Sequence, residues 1–167
     1  MSTLFSHFLS KNNEIRPQEA DFTEVLCDIA LVPNLLYFYG KMPKNRPKTV
    51  AIVGTRRPSE YGKKIAFDLA FAAAKRGAIV VSGLAYGIDS IAHWGALEAG
   101  GVTVAVLGTA IDDIYPRQHR GLAAEIVEKS GMIMSEVAPG VEFGSKWECQ
   151  TCFLRRNRLI SGLADAV

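Results

Sequence analysis

Residues 49–108, which decide the fold, read TVAIVGTRRPSEYGKKIAFDLAFAAAKRGAIVVSGLAYGIDSIAHWGALEAGGVTVAVLG. Three short runs in this stretch are rich in β-branched residues and end in glycine, at 49–54, 78–83 and 103–108. Runs of this length and composition are typical of buried strands. Because longer stretches separate them, we expect parallel strands joined by right-handed crossovers.

The intervening stretches have helical spacing, and we expect helices at about Gly62–Arg76 and Ser90–Ala99. Beyond residue 108 the pattern repeats, with a helix at about Arg120–Lys129 and a strand, GMIMSE, at 131–136. The strand cores are nearly continuous apolar runs, as a sheet covered on both faces requires. The sequence therefore predicts an α/β fold: a Rossmann-like, doubly wound, mostly parallel sheet with helices on both faces.

The chain divides into three segments. We expect a flexible N-terminus at residues 1–16 and, at residues 17–48, a lead-in helix followed by a connector rich in Pro, Lys and Asn. Residues 49–167 form the Rossmann-like core. Helical spacing of four apolar residues predicts that the lead-in helix packs on this core: Phe22, Val25, Leu26 and Ile29.

Composition narrows the class of protein. A chain of 167 residues with 49% hydrophobic and 22% charged residues can bury the core of one compact domain. Its net charge of +2 means that any nucleic-acid contact depends on a local basic cluster. The apolar runs are too short to cross a bilayer, and the N-terminus lacks a signal-peptide pattern, which predicts a soluble cytoplasmic protein with no membrane contact. Because one Cys-x-x-Cys pair cannot complete a zinc site, we expect reduced thiols, no metal and no cofactor.

The first loop beyond a strand carries two arginines. It begins Gly54-Thr55-Arg56-Arg57 and lacks both the G-x-G-x-x-G dinucleotide pattern and the Gly-Lys-Ser/Thr of a phosphate loop. A small residue, a hydroxyl and two guanidinium groups near a helix start suit phosphate oxygens. The alternative is two solvated surface arginines.

The second and third loops carry fewer candidate groups. Ser82 and Gly83 can offer donors to an anion, while Gly87 and Asp89 have structural roles, with Asp89 as a helix N-cap. In the third loop Gly108, the pair Asp112 and Asp113, and Tyr115 are assigned to a structural loop, because adjacent carboxylates point in different directions. His93 and His119 are lone histidines and are interpreted as a helix-surface group and a loop group.

The segment 146–163 is the most basic part of the chain. It combines four cationic residues with two aromatic ones: Lys146, Arg155, Arg156, Arg158, Trp147 and Phe153. Charge for phosphates and aromatic faces for bases are what proteins use to bind single-stranded nucleic acid. The alternative is a helix that starts at Asn157 and carries ordinary solvated arginines.

Taken together, the ordered motifs resemble the DNA-processing protein A (DprA, or Smf) family over about residues 20–167. They are Val53-Gly54-Thr55-Arg56 with Ser59 and Tyr61-Gly62; Ser82-Gly83-Leu84-Ala85 with Gly87-Ile88-Asp89; Ala105-Val106-Leu107-Gly108 with Asp112 and Tyr115-Pro116; Ser135-Glu136; and Phe153-Leu154-Arg155-Arg156-Asn157-Arg158 with Ser161-Gly162-Leu163. The resemblance implies a non-enzymatic protein that binds and protects single-stranded DNA during natural transformation and helps load the RecA recombinase. It also implies a homodimer.

The resemblance further implies roles for individual residues. Gly54, Thr55 and Arg56 would hold a phosphate, with donors added by Ser82 and Gly83. A basic pocket beside Phe153 would be completed by Arg156, Asn157 and Arg158. Lys146 is a candidate contact from the basic character of the segment alone. The chain departs from the family pattern at Leu154, where proline is common, and at Cys149 and Cys152.

The C-terminal residues Ala164–Val167 look like the beginning of a further strand, so the resemblance implies that the last strands of the family's sheet are missing. An uncovered sheet edge tends to pair with another chain. Two alternatives differ in class from the DNA-binding hypothesis. One is a nucleotide-binding sensor or nucleoside-monophosphate hydrolase, although the Pro-Gly-Gly-x-Gly-Thr motif of those hydrolases is absent, and the other is a remnant that folds without binding DNA.

Overall fold

The computed structural model describes residues 13–167, apart from the side chain of Lys146. Six strands are present: β1 Asn13–Ile15, β2 Leu36–Gly40, β3 Thr49–Ala51, β4 Ile79–Ser82, β5 Thr103–Val106 and β6 Met132–Ser135. Five α-helices connect or cover them: α1 Asp21–Glu24, α2 Glu60–Lys75, α3 Ile88–Glu98, α4 Arg120–Glu128 and α5 Lys146–Leu163. Short 3-10 turns lie at Pro17–Glu19, Val25–Asp28 and Arg117–His119.

The strands form one sheet in the order β1-β2-β6-β5-β4-β3. Strands β3 to β6 are parallel neighbours, which confirms the predicted mostly parallel sheet. The antiparallel strands β1 and β2 extend it beyond β6 and were not predicted from the sequence. The stretch LYFYG of β2 had been assigned to the connector, and β1 occupies residues expected to be flexible; residues 1–12 of that segment lie outside the described residues.

Helices cover both faces of the sheet, as predicted. On one face, alternate strand residues such as Val80 and Ala105 pack against α2, α3 and α4. On the other face, Val81, Val104 and Met134 pack with Leu159 of α5 and with the lead-in segment. Since successive strand side chains point to opposite faces, fully apolar strands can serve both layers at once.

The predicted lead-in helix is wrong in its extent. The backbone is extended at Ala20 and again at Ile29, so residues 17–28 form only α1 and two flanking 3-10 turns. Phe22 and Leu26 are nevertheless fully buried against the core, in line with their spacing. The apolar spacing thus identified the buried residues but not the length of the helix.

The direction of winding reverses at β3. After β6, α5 carries the chain back across the second face, and Asp165 and Ala166 then run parallel to the outer edge of β3. The Asp165 amide donates to the Thr49 carbonyl at 2.9 Å, and the Ala51 amide donates to the Ala166 carbonyl at 2.8 Å. In doubly wound folds such a reversal leaves a crevice beyond the carboxyl ends of the strands, where ligands bind.

Candidate functional site

A crevice of about 590 Å³ lies at that point of reversal. It is lined by the first two loops and by α5, including Gly54, Arg56, Asp89, Arg156 and Asn157. A second, more open depression of about 650 Å³ lies on the other side of the Arg56 loop, and a small aromatic cleft lies beside both. Arg56 lines all three, which makes it the central side chain of this edge of the sheet.

The guanidinium group of Arg56 is available to a ligand. Arg56 is exposed, and within residues 13–167 its side chain makes no ion pair or hydrogen bond. The loop that carries Arg56 is held by the start of α3. The Thr55 carbonyl accepts the Ile88 amide at 3.2 Å. The same carbonyl oxygen lies so close to Gly87 that a Cβ at Gly87 would collide with it. Gly87 has φ +79°, a conformation that glycine adopts readily. A free cation therefore projects from a rigid support.

The anion-binding nest expected in the first two loops is filled by Asp89. Its carboxylate accepts the backbone amide of Gly83 at 3.1 Å and those of Gly54 and Ala85 as well. Burial raises the pKa of Asp89, while the positive charge of Arg156 and the three amides lower it. The expectation that Asp89 is an N-cap was wrong, because Gly87 is the N-cap of α3 and Asp89 lies in its first turn. The amides of Gly54 and Gly83 are thus already bonded within the protein.

Ser82 and Gly83 face inward rather than toward the crevice. The Ser82 hydroxyl is buried and donates to the Ile52 carbonyl at 2.7 Å. A Cβ on Gly83 would lie 2.6 Å from Nη1 of Arg156. These two positions therefore support the packing beneath the crevice.

Arg156 is a buried clamp rather than a solvent-facing cation. It is only 5% exposed, and its Nη1 donates to the carbonyl of Gly83 at 2.8 Å and to that of Val106. Burial lowers the pKa of Arg156, the neighbouring charge of Asp89 raises it and that of Arg56 lowers it. Since strand ends leave carbonyls without ladder partners, a buried guanidinium that satisfies two of them joins the ends of β4 and β5.

Arg155 and Arg158 of the same segment are also engaged within the protein. Arg158 donates to Glu136 at 2.5 Å and to the Leu31 carbonyl at 2.9 Å, and Arg155 lies 3.8 Å from Glu136. The alternative of a helix starting at Asn157 was wrong, because α5 begins at Lys146, eleven residues earlier. Asn157 is exposed and lines the crevice, with its Oδ1 accepting Nε of Arg156.

Three aromatic side chains gather around Arg56. Phe153 packs on Gly108 and lies 5.6 Å from Tyr115 and 5.9 Å from the Arg156 guanidinium. The cleft that these rings share is also lined by Tyr86. Tyr86 was not singled out from the sequence, although its place between the loop glycines Gly83 and Gly87 was a usable signal.

Hydrogen bonds within the protein hold the third loop in place. The Thr109 hydroxyl donates to the Asp113 carbonyl at 2.6 Å, and the Ser135 hydroxyl donates to the Thr109 carbonyl at 2.6 Å. Asp112 accepts the Gly140 amide at 2.9 Å and so joins this loop to the one after β6. These bonds hold Tyr115 beside Phe153.

His93 lies elsewhere than expected, whereas His119 lies in a turn, as a loop group would. His93, expected on a helix surface, is fully buried; its Nδ1 donates to the Thr103 hydroxyl at 2.7 Å, and burial lowers its pKa to about 3. His119 lies in the turn before α4 and bonds through Nδ1 to the Leu84 carbonyl at 2.7 Å. Trp147 is 72% exposed on α5 and does not line these depressions.

The described residues can be compared with the requirements of a metal site and of a membrane-spanning helix. Cys27, Cys149 and Cys152 are free thiols, and no cluster of three or more His, Cys, Asp and Glu side chains within the described chain could hold a metal ion. From residue 13 onward, no helix has the length and apolar character needed to span a bilayer.

The sequence profile of the family described as DNA recombination-mediator protein A matches residues 13–167. The chain belongs to this family. Protein Smf of a Synechocystis strain is 40% identical over 157 residues, covering 92% of this chain and 38% of that protein. Protein Smf of Escherichia coli is 35% identical over 160 residues, covering 93% and 41%. The chain thus spans about two fifths of the length of these family members.

Solved structures of two family members share the fold. DNA processing protein A of Helicobacter pylori, described for its unique single-stranded DNA binding mode, matches with a TM-score of 0.74 and 35% identity, over 96% of this chain and 68% of that one. The Streptococcus pneumoniae protein matches with a TM-score of 0.74 and 32% identity, over 95% and 54%. Membership confirms the family inferred from the ordered motifs.

Proposed function

We propose that this family member binds single-stranded DNA at the carboxyl edge of its sheet, with Arg56 on a backbone phosphate. The observation that carries the proposal is a free guanidinium group where three depressions meet, beside the ring pair of Phe153 and Tyr115. Single-stranded DNA binders combine a cationic track with aromatic faces on which bases stack. The binding described for the H. pylori relative is consistent with this assignment.

The proposal divides the residues named from the sequence into two groups. Direct contact is assigned to Thr55, Arg56, Phe153 and Asn157, which are exposed or half-buried around the crevice. Support is assigned to the buried or internally bonded positions: Gly54, Ser82, Gly83, Arg156 and Arg158. Lys146 stays a proposed contact on the basic character of its segment alone. No bond is made or broken in this function.

A titration of fluorescent oligo-dT by anisotropy at several salt concentrations tests the proposal. We expect binding that weakens with salt and a loss of about tenfold or more in Arg56→Ala, since a phosphate contact is removed. Arg76→Ala is the matched control, because Arg76 is an exposed arginine at the opposite end of α2. Absence of wild-type binding up to about 0.1 mM, the weak end of non-specific affinity, would refute it. Tight binding and turnover of a mononucleotide would support the hydrolase alternative instead.

The proposal extends to partners and location. RecA is proposed as a partner because the family is described as recombination mediators, and the cytoplasm as the location where that partner acts. A pull-down with purified RecA and DNA tests this interaction. If RecA is retained only in the presence of DNA and is lost after nuclease treatment, this result would argue against direct contact between the two proteins.

Homodimerisation is proposed through the exposed apolar side of α2. This helix exposes Tyr61, Ile65 and Leu69 at one-turn intervals. Exposed apolar stripes favour association. Sedimentation across a concentration series should reveal a dimer that Leu69→Glu dissociates, whereas a purely monomeric wild type would exclude it.

A further inference from the structure

The open depression beside Arg56 has cationic residues to which the proposed function gives no role. It lies between the first turns of α2 and α3, and its walls include Arg57, Lys63, Tyr86 and Ser90. Arg56 lines this depression as well as the crevice on the other side of its loop. Arg56 therefore joins the two spaces.

The charge of the depression is unbalanced. Arg57 is exposed, and its guanidinium group makes no ion pair or hydrogen bond with any residue from 13 to 167. Lys63 donates to Glu60 at 2.6 Å, but its side chain remains 47% exposed. Arg56, Arg57 and Lys63 thus line the depression, and Glu60 pairs with Lys63, which leaves a positive charge that favours a bound anion.

The walls are held in place independently of any ligand. Ser59 caps α2 by accepting the Gly62 amide at 3.2 Å, and the Thr55 hydroxyl accepts the Arg57 amide at 3.2 Å. Tyr86 donates its hydroxyl proton to Gln118 at 2.6 Å and meets the edge of His119 at 5.1 Å. Since the ring is 39% exposed and fixed in orientation, it offers a flat surface on which a base can stack.

We propose that this depression is a second nucleotide subsite, in which Arg57 and Lys63 hold the phosphodiester next to the one on Arg56 and Tyr86 carries its base. The inference rests on the proposed single-stranded DNA function. Tyr86 also lines the aromatic cleft with Phe153 and Tyr115, so it joins the two subsites. The strand accordingly crosses the Arg56 loop rather than ending at it.

A length series of fluorescent oligo-dT, from two to about sixteen nucleotides, tests the inference on the full chain. The double variant Arg57→Ala/Lys63→Ala should bind the shortest oligonucleotide like the wild type and the longer ones at least about tenfold more weakly. Its slope of log affinity against log salt should fall by about 1.4, because each phosphate contact contributes about 0.7 for single strands. Tyr86→Leu should weaken long oligonucleotides without changing that slope.

The matched control is Lys64→Ala. Lys64 is the next residue on α2, is exposed and pairs with Asp68 at 2.5 Å, and it does not line the depression. Equal losses in Lys64→Ala and the double variant would overturn the subsite in favour of general charge attraction. Unchanged binding of long oligonucleotides by the double variant, with binding still lost in Arg56→Ala, would overturn the subsite alone. No wild-type binding at any length would instead refute the proposed function, and circular dichroism confirms that each variant is folded.

Discussion

Substitutions at Arg156 and Arg56 should have different effects: the first should lower the stability of the fold, and the second should weaken DNA binding. Arg156→Met keeps most of the side-chain volume against Phe153 but removes the donors to the Gly83 and Val106 carbonyls. A hydrogen bond to a charged group contributes about 1.5–3 kcal/mol, and removing one partner of a buried charged pair costs about 3–5 kcal/mol. Because Asp89 also loses its neighbouring cation, we expect the free energy of unfolding to fall by about 3–5 kcal/mol.

The comparison variant is Arg56→Met. Its side chain is exposed and unbonded within the described chain, so the free energy of unfolding should change by no more than about 0.5 kcal/mol. Urea unfolding followed by circular dichroism measures both variants. With a slope of about 2 kcal/mol per molar urea, Arg156→Met should shift the midpoint by roughly 2 M, and Arg56→Met by very little.

Oligonucleotide titration then completes the comparison. Arg56→Met should lose DNA binding while folded, whereas Arg156→Lys, which keeps the charge and one donor, should keep measurable affinity wherever it is folded. If Arg156→Met unfolds at the wild-type urea concentration but binds DNA as poorly as Arg56→Met, then Arg156 contacts the ligand directly and the assignment of a clamp is wrong.

Three further predictions concern the core and the loops. His93 has a folded-state pKa of about 3 against 6.5 in the unfolded chain, so the fold loses stability as the pH falls below 6.5. The free energy of unfolding should fall by about 2 kcal/mol between pH 7 and pH 5 because of this group. In His93→Asn, measured by urea unfolding at both pH values, this contribution to the fall should be absent. An identical loss in the variant would contradict it. Gly108→Ala places a Cβ 2.6 Å from Cδ1 of Phe153 and should cost about 1–3 kcal/mol in thermal unfolding while weakening DNA binding. Gly121→Ala, an exposed position in α4 with open space around its Cα, should instead raise stability by about 0.5–1 kcal/mol, and a decrease would count against the helix as described.

The parallel part of the fold could be predicted because its signals are local. Each of β3 to β6 is an apolar run closed by a polar or glycine residue, and the spacing between the runs leaves room for one helix each. The strand β2 carried a weaker signal, since LYFYG lies between proline-containing stretches and pairs antiparallel with β6, about a hundred residues away. Such pairing depends on long-range register that no local pattern contains.

The position of the candidate site could be predicted from the sequence, but the roles of its individual residues could not. The loops after β3, β4 and β5 do meet at one edge, with Arg56 and Phe153 around one cleft. Arg56 and Arg156 have the same side chain, however, and only the fold makes one free and the other a buried clamp. Residues 146–163 read as a basic segment, but as a helix they direct Arg156 inward and Arg158 toward Glu136.

The loop glycines explain why the sequence pattern predicted ligand contacts at positions that are bonded within the protein. A glycine after a strand indicates that some group approaches the backbone closely, and in α/β proteins that group is often a ligand phosphate. Here the approaching groups are the protein's own: the Arg156 guanidinium at Gly83 and the Phe153 ring at Gly108. The buried carboxylate of Asp89 likewise takes the amides that would otherwise bind an anion. The proposed ligand contacts therefore belong to side chains that extend beyond this internal network, and the arrangement predicts a binding defect in Arg56→Ala without a stability defect.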